Sequence, residues 1–400
     1  MTLYHHDNRK YEVAAGAAAD AARARLEAQI AKGRGSLEST IARMTAEQPR
    51  DMVVPRGALR FWPSEFDAED SEDGEPQVYH GVAIQAGDGH IAGVHTHAVG
   101  QVSKVLGIPT NYIRSLEECG EEWSADLLAH NLNTLNEHHN PRDRFLLREV
   151  DGEIRGFLSD RFRRMDSGPI LESFAMACKA LDAVPVGSHC GDTRWHLKML
   201  LPTIYEPVEH EVVAFGVTLQ NSDYGDGKLS LKMHMLRLWC TNFAIREEAI
   251  SQIHLGAKLS DDIEWSEETR EADTRAMALK VTDAVRSKLG EAAIDREIRL
   301  IQIADSEGID AGKDLSALQR KGLLSKAEVS ETTEIYNRAD IELLPPGNTM
   351  WRLSNALSAL ANVKRDEGDE TRAIALEETA GEVLTTLAKR RGLDKEAIER

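Results

Sequence analysis

The chain has no cysteine pair of the C-x-x-C kind, and its four cysteines, Cys119, Cys178, Cys190 and Cys240, stand far apart. Scattered cysteines behind no leader predict reduced thiols in a cytoplasm. No apolar run approaches the roughly 20 residues that a membrane helix needs, so no spanning segment is expected. The opening Met1–Lys10, MTLYHHDNRK, has no apolar stretch behind a basic start, unlike a secretory signal. A basic excess is lacking too. The net charge is −19 over 400 residues, which argues against coating nucleic acid by bulk charge.

Signatures of chemistry are equally sparse. Gly225-Asp226-Gly227-Lys228-Leu229-Ser230 has the flavour of a phosphate loop but not its spacing, and it joins two strands instead of opening a helix. No G-x-G-x-x-G follows a strand, and no G-x-S-x-G elbow occurs. The tight pairs of zinc sites are missing. His90, His95 and His97 come nearest to a ligand set, and a helix-start turn around Thr96 accounts for the last two. The acidic run Phe66–Pro76, FDAEDSEDGEP, has the glycine of a calcium loop but lacks its late bidentate Glu, and reads as a solvated linker. No metal, no cofactor and no assignable catalytic residue are therefore expected.

What is present is uneven charge. Residues 1–60 carry 10 Lys/Arg against 7 Asp/Glu, residues 61–140 carry 2 against 14, and residues 141–240 carry 13 against 14. The middle of the chain is thus free to present a locally basic face.

Periodicity divides the chain into a helical N-terminal segment (1–60), an acidic linker (61–77), an α+β core (78–245) and a helical C-terminal region (246–400). In the core, Val78–Ala86 and His90–Val94 alternate around a Gly-Asp-Gly turn, and Phe145–Val150 and Glu153–Leu158 flank Asp151-Gly152, a strong hairpin signal. Further strands are expected at Val184–His189, Arg194–Leu201, Val212–Gln220 and Leu229–Leu238. Helices are expected at His97–Leu106 with Thr96 as cap, Trp123–Leu135 and Pro169–Leu181. Beyond Cys240 only helices are expected: Ser266–Leu289, Lys326–Asp340, Thr349–Lys364 and Glu370–Arg391. The expected fold class is α+β, a central antiparallel sheet of hairpins with helices on one face, followed by helices that serve as a layer or for homo-oligomerisation.

One pattern stands out. Along Arg194–Leu201, alternation puts Arg194, His196 and Lys198 on one side and Trp195, Leu197 and Met199 on the other. Lys232 and His234 share a face of the Leu229–Leu238 strand, and Arg161, Arg163 and Arg164 follow the earlier hairpin. With these faces aligned, the sheet has a basic open side suited to a phosphate backbone. The plainer reading is that antiparallel sheets keep one wet face, which carries Lys, Arg and His in any protein.

A short helix ending in Leu106-Gly-Ile-Pro109, the hairpin FLLREVDGEIRGFLSDRFRRMDS (Phe145–Ser167), then RWHLKMLLP (Arg194–Pro202) and LRLWCTNFAI (Leu236–Ile245) occur in that order. In this the chain resembles the phage/plasmid-like proteins grouped as domain of unknown function 932, in which an Arg-x-x-Cys-x-Asn segment is matched here by Arg237, Cys240 and Asn242. The resemblance spans roughly residues 80 to 365. It implies an α+β fold and a bacterial or phage-infected cytoplasm, and it transfers no catalytic residue. The leading expectation is a non-enzymatic DNA-handling protein of the single-strand binding or annealing type. Two others stay open: an enzyme built around His234, Arg237, Cys240 and Asn242, and a phage factor that binds a host protein through the acidic run.

Overall fold

Two hairpin-rich stretches build two separate sheets within the described residues, which in this computed structural model are 12, 17–67, 78–87, 89–165, 167–239, 242–252, 266–338 and 344–392. The class is α+β. The first sheet holds β1 (Arg50–Pro55), β2 (Arg60–Asp67), β3 (Val78–Gln85), β4 (Ile91–Val94), β5 (Arg144–Val150) and β6 (Glu153–Ser159), in the order β1-β5-β6-β4-β3-β2. Only the β4–β6 pair is parallel. The β5–β6 turn has positive φ at both Asp151 (52°) and Gly152 (82°), the conformation that a two-residue hairpin favours.

One face of this sheet, with Phe61, Ile84, Phe145, Leu147 and Phe157, packs under α2 (Thr96–Leu106), α3 (Thr110–Cys119) and α4 (Glu122–His138). The cap of α2 is His95 in place of the expected Thr96. Its Nδ1 accepts the His97 backbone N–H at 3.1 Å.

The second sheet holds β7 (Val184–Cys190), β8 (Trp195–Leu200), β9 (Tyr205–Val208), β10 (Glu211–Asn221), β11 (Leu229–Arg237) and β12 (Asn242–Gln252). Its order is β12-β11-β10-β8-β7, with β9 beside β10, and every pair is antiparallel. The expectation of one sheet with helices on one side is corrected here. Trp195, Leu197, Val217 and Leu231 meet α5 (Ser167–Lys179) and α6 (Glu267–Lys288) on one face. On the other, Leu200, Ala214 and Leu236 meet Ala22 and Leu26 of α1 (Ala17–Ala46). Gly33 lets α1 lie against β7, since a Cβ there would overlap the backbone of Val186.

Three more differences are local. β1 and the start of β2 are strands within the stretches expected to be helix and linker, and β12 is a strand beyond Cys240. Most of the acidic run, residues 68–76, and Cys240 itself lie outside the described residues.

The C-terminal region consists of α7 (Glu291–Ser306), α8 (Ala311–Arg320), α9 (Lys326–Tyr336), α10 (Met350–Asp366) and α11 (Glu370–Arg391). Their apolar sides bury Leu300, Trp351, Leu357, Leu376 and Leu384 against Phe215 and Met235 of the sheet. Among the described residues of α10 and α11, Val363 is the large apolar side chain left exposed. No described helix is long and apolar enough to cross a membrane.

Ser325 and Glu328 close a capping box at the start of α9, and Arg372 of α11 holds the same carboxylate. Burial opposes ionisation of Glu328, but Arg372 and Ser325 outweigh it and bring its pKa from 4.5 down to about 2. A depressed carboxylate stabilises the fold above its unfolded pKa, and that contribution fades as pH falls from 4.5 toward 2. Glu328→Gln is accordingly expected to flatten the acid limb of a stability–pH profile between those values. A limb as steep as the parent's would rule this out.

Candidate nucleic-acid interface

Alternation along β8 separates its side chains as period two demands, yet neither side is open. Trp195 is 4% exposed and Lys198 is 3% exposed. The Lys198 Nζ donates to Glu377 Oε2 at 2.6 Å and lies 4.4 Å from the centre of the Phe243 ring. Lys232 reaches Glu378 at 2.6 Å, and the buried His196 lies 3.5 Å from Glu370. All three carboxylates belong to α11. The fully buried His234 pairs through Nδ1 with the Thr218 hydroxyl at 2.9 Å, and its Nε2, facing Gly216, has no hydrogen-bond partner among the described residues. Burial, then the charge of Lys198, holds its pKa well below the ordinary histidine range.

The basic stripe is therefore an internal seam, which corrects the expectation of an open basic face. Leu376, Leu384 and Leu387 of α11 are at most 1% exposed, each worth about 1.5–3 kcal/mol of burial. A helix anchored that way is a permanent layer and not a detachable cover.

The remaining expected cations divide. Arg163 pairs with Asp273 on α6, and Arg164 pairs with Asp51 on β1 at 2.9 Å. Arg194 is half exposed and pairs with Asp226 at 2.5 Å. Arg161 is exposed at the end of β6.

The alternative enzyme cluster is equally engaged. Arg237 makes a two-pronged contact with Glu211 (2.6 and 2.8 Å), which also accepts from the Trp351 indole. Asn242 bridges Asn355 and Asn362 of α10. His90 pairs with Glu149 at 2.7 Å, His95 lies 3.5 Å from Asp192, and His97 meets the Tyr224 carbonyl and Gln101. Among the described residues no group of three His, Cys, Asp or Glu side chains is placed to hold a metal. Cys119, Cys178 and Cys190 are free thiols.

Arg161 has neighbours that sequence reading missed. Phe145 of β5 lies opposite Ser159 of β6, and Arg144 lies opposite Pro55 of β1. The ends of these three strands thus gather Arg56, Arg142, Arg144 and Arg161. The Arg56 backbone N–H bonds the Asp143 carbonyl at 2.8 Å, and its guanidinium bonds the Asn140 carbonyl, also at 2.8 Å. Arg142 is half-buried and makes no ion pair among the described residues. Burial lowers its pKa, Asp160 works the other way, and the nearby Arg161 lowers it further. Among the described residues Asp143 lies by Arg56, with its side chain 85% exposed, and Asp160 lies by Arg142.

No family model, no curated protein and no solved structure matches the chain.

Proposed function

We propose that the chain is a non-enzymatic nucleic-acid-handling protein that takes the phosphate backbone of a single strand in the arginine cluster at the Arg144 end of the first sheet. The supporting observation is Arg142, a half-buried guanidinium beside a second guanidinium, with no ion pair among the described residues. Desolvated like charges repel, and a bridging phosphate turns that repulsion into two charge-assisted contacts. The phage- and plasmid-type setting implied by the sequence resemblance belongs to the same proposal.

Fluorescence anisotropy with labelled single-stranded and duplex oligonucleotides at two salt concentrations tests it. Binding should be sequence-tolerant and fall steeply with salt. Arg142→Ala/Arg144→Ala/Arg161→Ala should weaken it at least about tenfold and lower the salt slope by about 2–3. Arg194→Ala/Lys232→Ala should leave it nearly unchanged, because both cations already hold carboxylates. Absence of binding at low salt, or a triple variant that binds as well as the parent, would refute the reading.

A further inference from the structure

Helices α3 and α4 turn one face to the first sheet and another to solvent. Ser124, Ala125, Leu128 and Leu132 of α4 are buried. On the outer side Trp123 is 58% exposed and Leu127 is 40% exposed. The spacing of Trp123, Leu127 and Asn131 places them on one ridge, one turn apart. The Asn131 amide donates to the Tyr112 hydroxyl of α3 at 2.8 Å, which holds that ring, 37% exposed, beside the far end of the ridge. Exposed large apolar residues scattered singly mean little, but these three lie along one line on a helix pair, with Asn131 between Leu127 and Tyr112.

The strip is bordered by one sign of charge. From Thr110 to Asn131 there are five carboxylates, Glu117, Glu118, Glu121, Glu122 and Asp126, against Arg114 alone. Glu121, Glu122 and Asp126 are exposed and adjoin Trp123 and Leu127 in sequence. Glu117 is half-buried at the edge of a small apolar cavity lined by Phe61, Val82, Val99, Ile113 and Leu132, and burial raises its pKa despite Arg114.

We infer that this face docks a basic amphipathic α-helix of a partner protein. The partner's apolar side lies on Trp123, Leu127 and Tyr112, and its lysines and arginines meet the acidic rim. The strip supplies the large aromatic and aliphatic anchors of a helix-in-groove contact. The rim supplies complementary charge and, by the same sign, repels nucleic acid. The surface is separate from the arginine cluster. Running from Trp123 to the end of α4 at His138, the helix puts about 22 Å between Trp123 and the chain leading to Arg142.

The test uses the full chain and a labelled synthetic helix of about 18 residues, leucine at i, i+3, i+4 and i+7 and lysine elsewhere, beside a version with glutamate for lysine. The lysine peptide should bind and the glutamate peptide should not. Trp123→Ser/Leu127→Ser and, separately, Glu121→Lys/Glu122→Lys/Asp126→Lys should each weaken binding at least about tenfold with unchanged circular dichroism. Glu268→Lys/Glu271→Lys/Asp283→Lys on α6 makes the same charge change elsewhere and should shift affinity by less than about twofold. Any of four results overturns the inference: no binding, equal binding of the glutamate peptide, equal loss in the α6 variant, or a parent dimer that the Trp123/Leu127 variant converts to monomer.

Discussion

Replacing Glu377 by alanine is expected to cost about 3–5 kcal/mol of folding stability, because it strands a buried cation. Glu377 is fully buried, accepts from Lys198 Nζ at 2.6 Å through one oxygen, and accepts from Arg365 at 2.7 Å through the other. Burial, with help from the nearby Arg365, pushes the Lys198 ammonium below its ordinary range, and the Glu377 charge is the main force opposing that. With the carboxylate gone, Lys198 must stay charged without a partner or give up its proton, and either is costly. Arg365 suffers less, since Glu370 and Asn362 still hold it. Urea unfolding followed by circular dichroism measures the loss. Lys198→Met/Glu377→Leu should recover most of it, as apolar residues of similar volume often replace a buried pair without loss. A single variant within about 1 kcal/mol of the parent would mean that the pair behaves as a surface pair and that α11 does not seal the seam.

The second large effect concerns a glycine that looks like a design flaw. Gly381 sits in the interior of α11, where alanine ordinarily gains about 1 kcal/mol. Here a Cβ would overlap the carbonyl oxygen of Ile245 and crowd the next backbone nitrogen, so the helix would have to back away from β12. Gly381→Ala is therefore expected to destabilise by about 3 kcal/mol or more, the upper range for overpacking against a backbone that cannot yield. Gly100 in α2 makes the contrast. It has no atom within 4 Å of a built Cβ, and Gly100→Ala should stabilise by about 0.5–1 kcal/mol. Thermal or urea unfolding of the two variants side by side decides the matter: if both shift the same way, the close approach of α11 to β12 is wrong.

Much of the framework was legible because its signals are local. Glu370–Arg391 was bounded correctly by the Glu367-Gly368-Asp369 break ahead of it, and the β5–β6 hairpin by Asp151-Gly152. β1 was missed because its partner β5 lies about 95 residues further along, as in the pairing of Arg50 with Glu149, and RDMVVP has little pattern of its own. β12 was missed because Arg246 interrupts its alternation; the buried Arg246 is paired there with Glu297 of α7. Closure of the basic face was invisible for the same reason. Glu370, Glu377 and Glu378 look like ordinary helix carboxylates until the fold brings them over β8 and β11. The arginine cluster was partly readable: the predicted hairpin already set residue 144 near residue 161, and extending its register would have found the rest.

The Lys198–Glu377 contact also has a timetable. Its two halves are 179 residues apart in the chain. At ribosomal rates of about 5–20 residues per second, roughly 10–35 s pass between synthesis of the lysine and synthesis of its partner. From the synthesis of β11 to that of α11, β8, β10 and β11 can pair while Lys198, Lys232 and His196 have no α11 to receive them. During that interval the nascent chain presents the basic stripe without its α11 carboxylates, next to a large mass of ribosomal RNA. A ribosome stalled before Glu370 would hold it in that form.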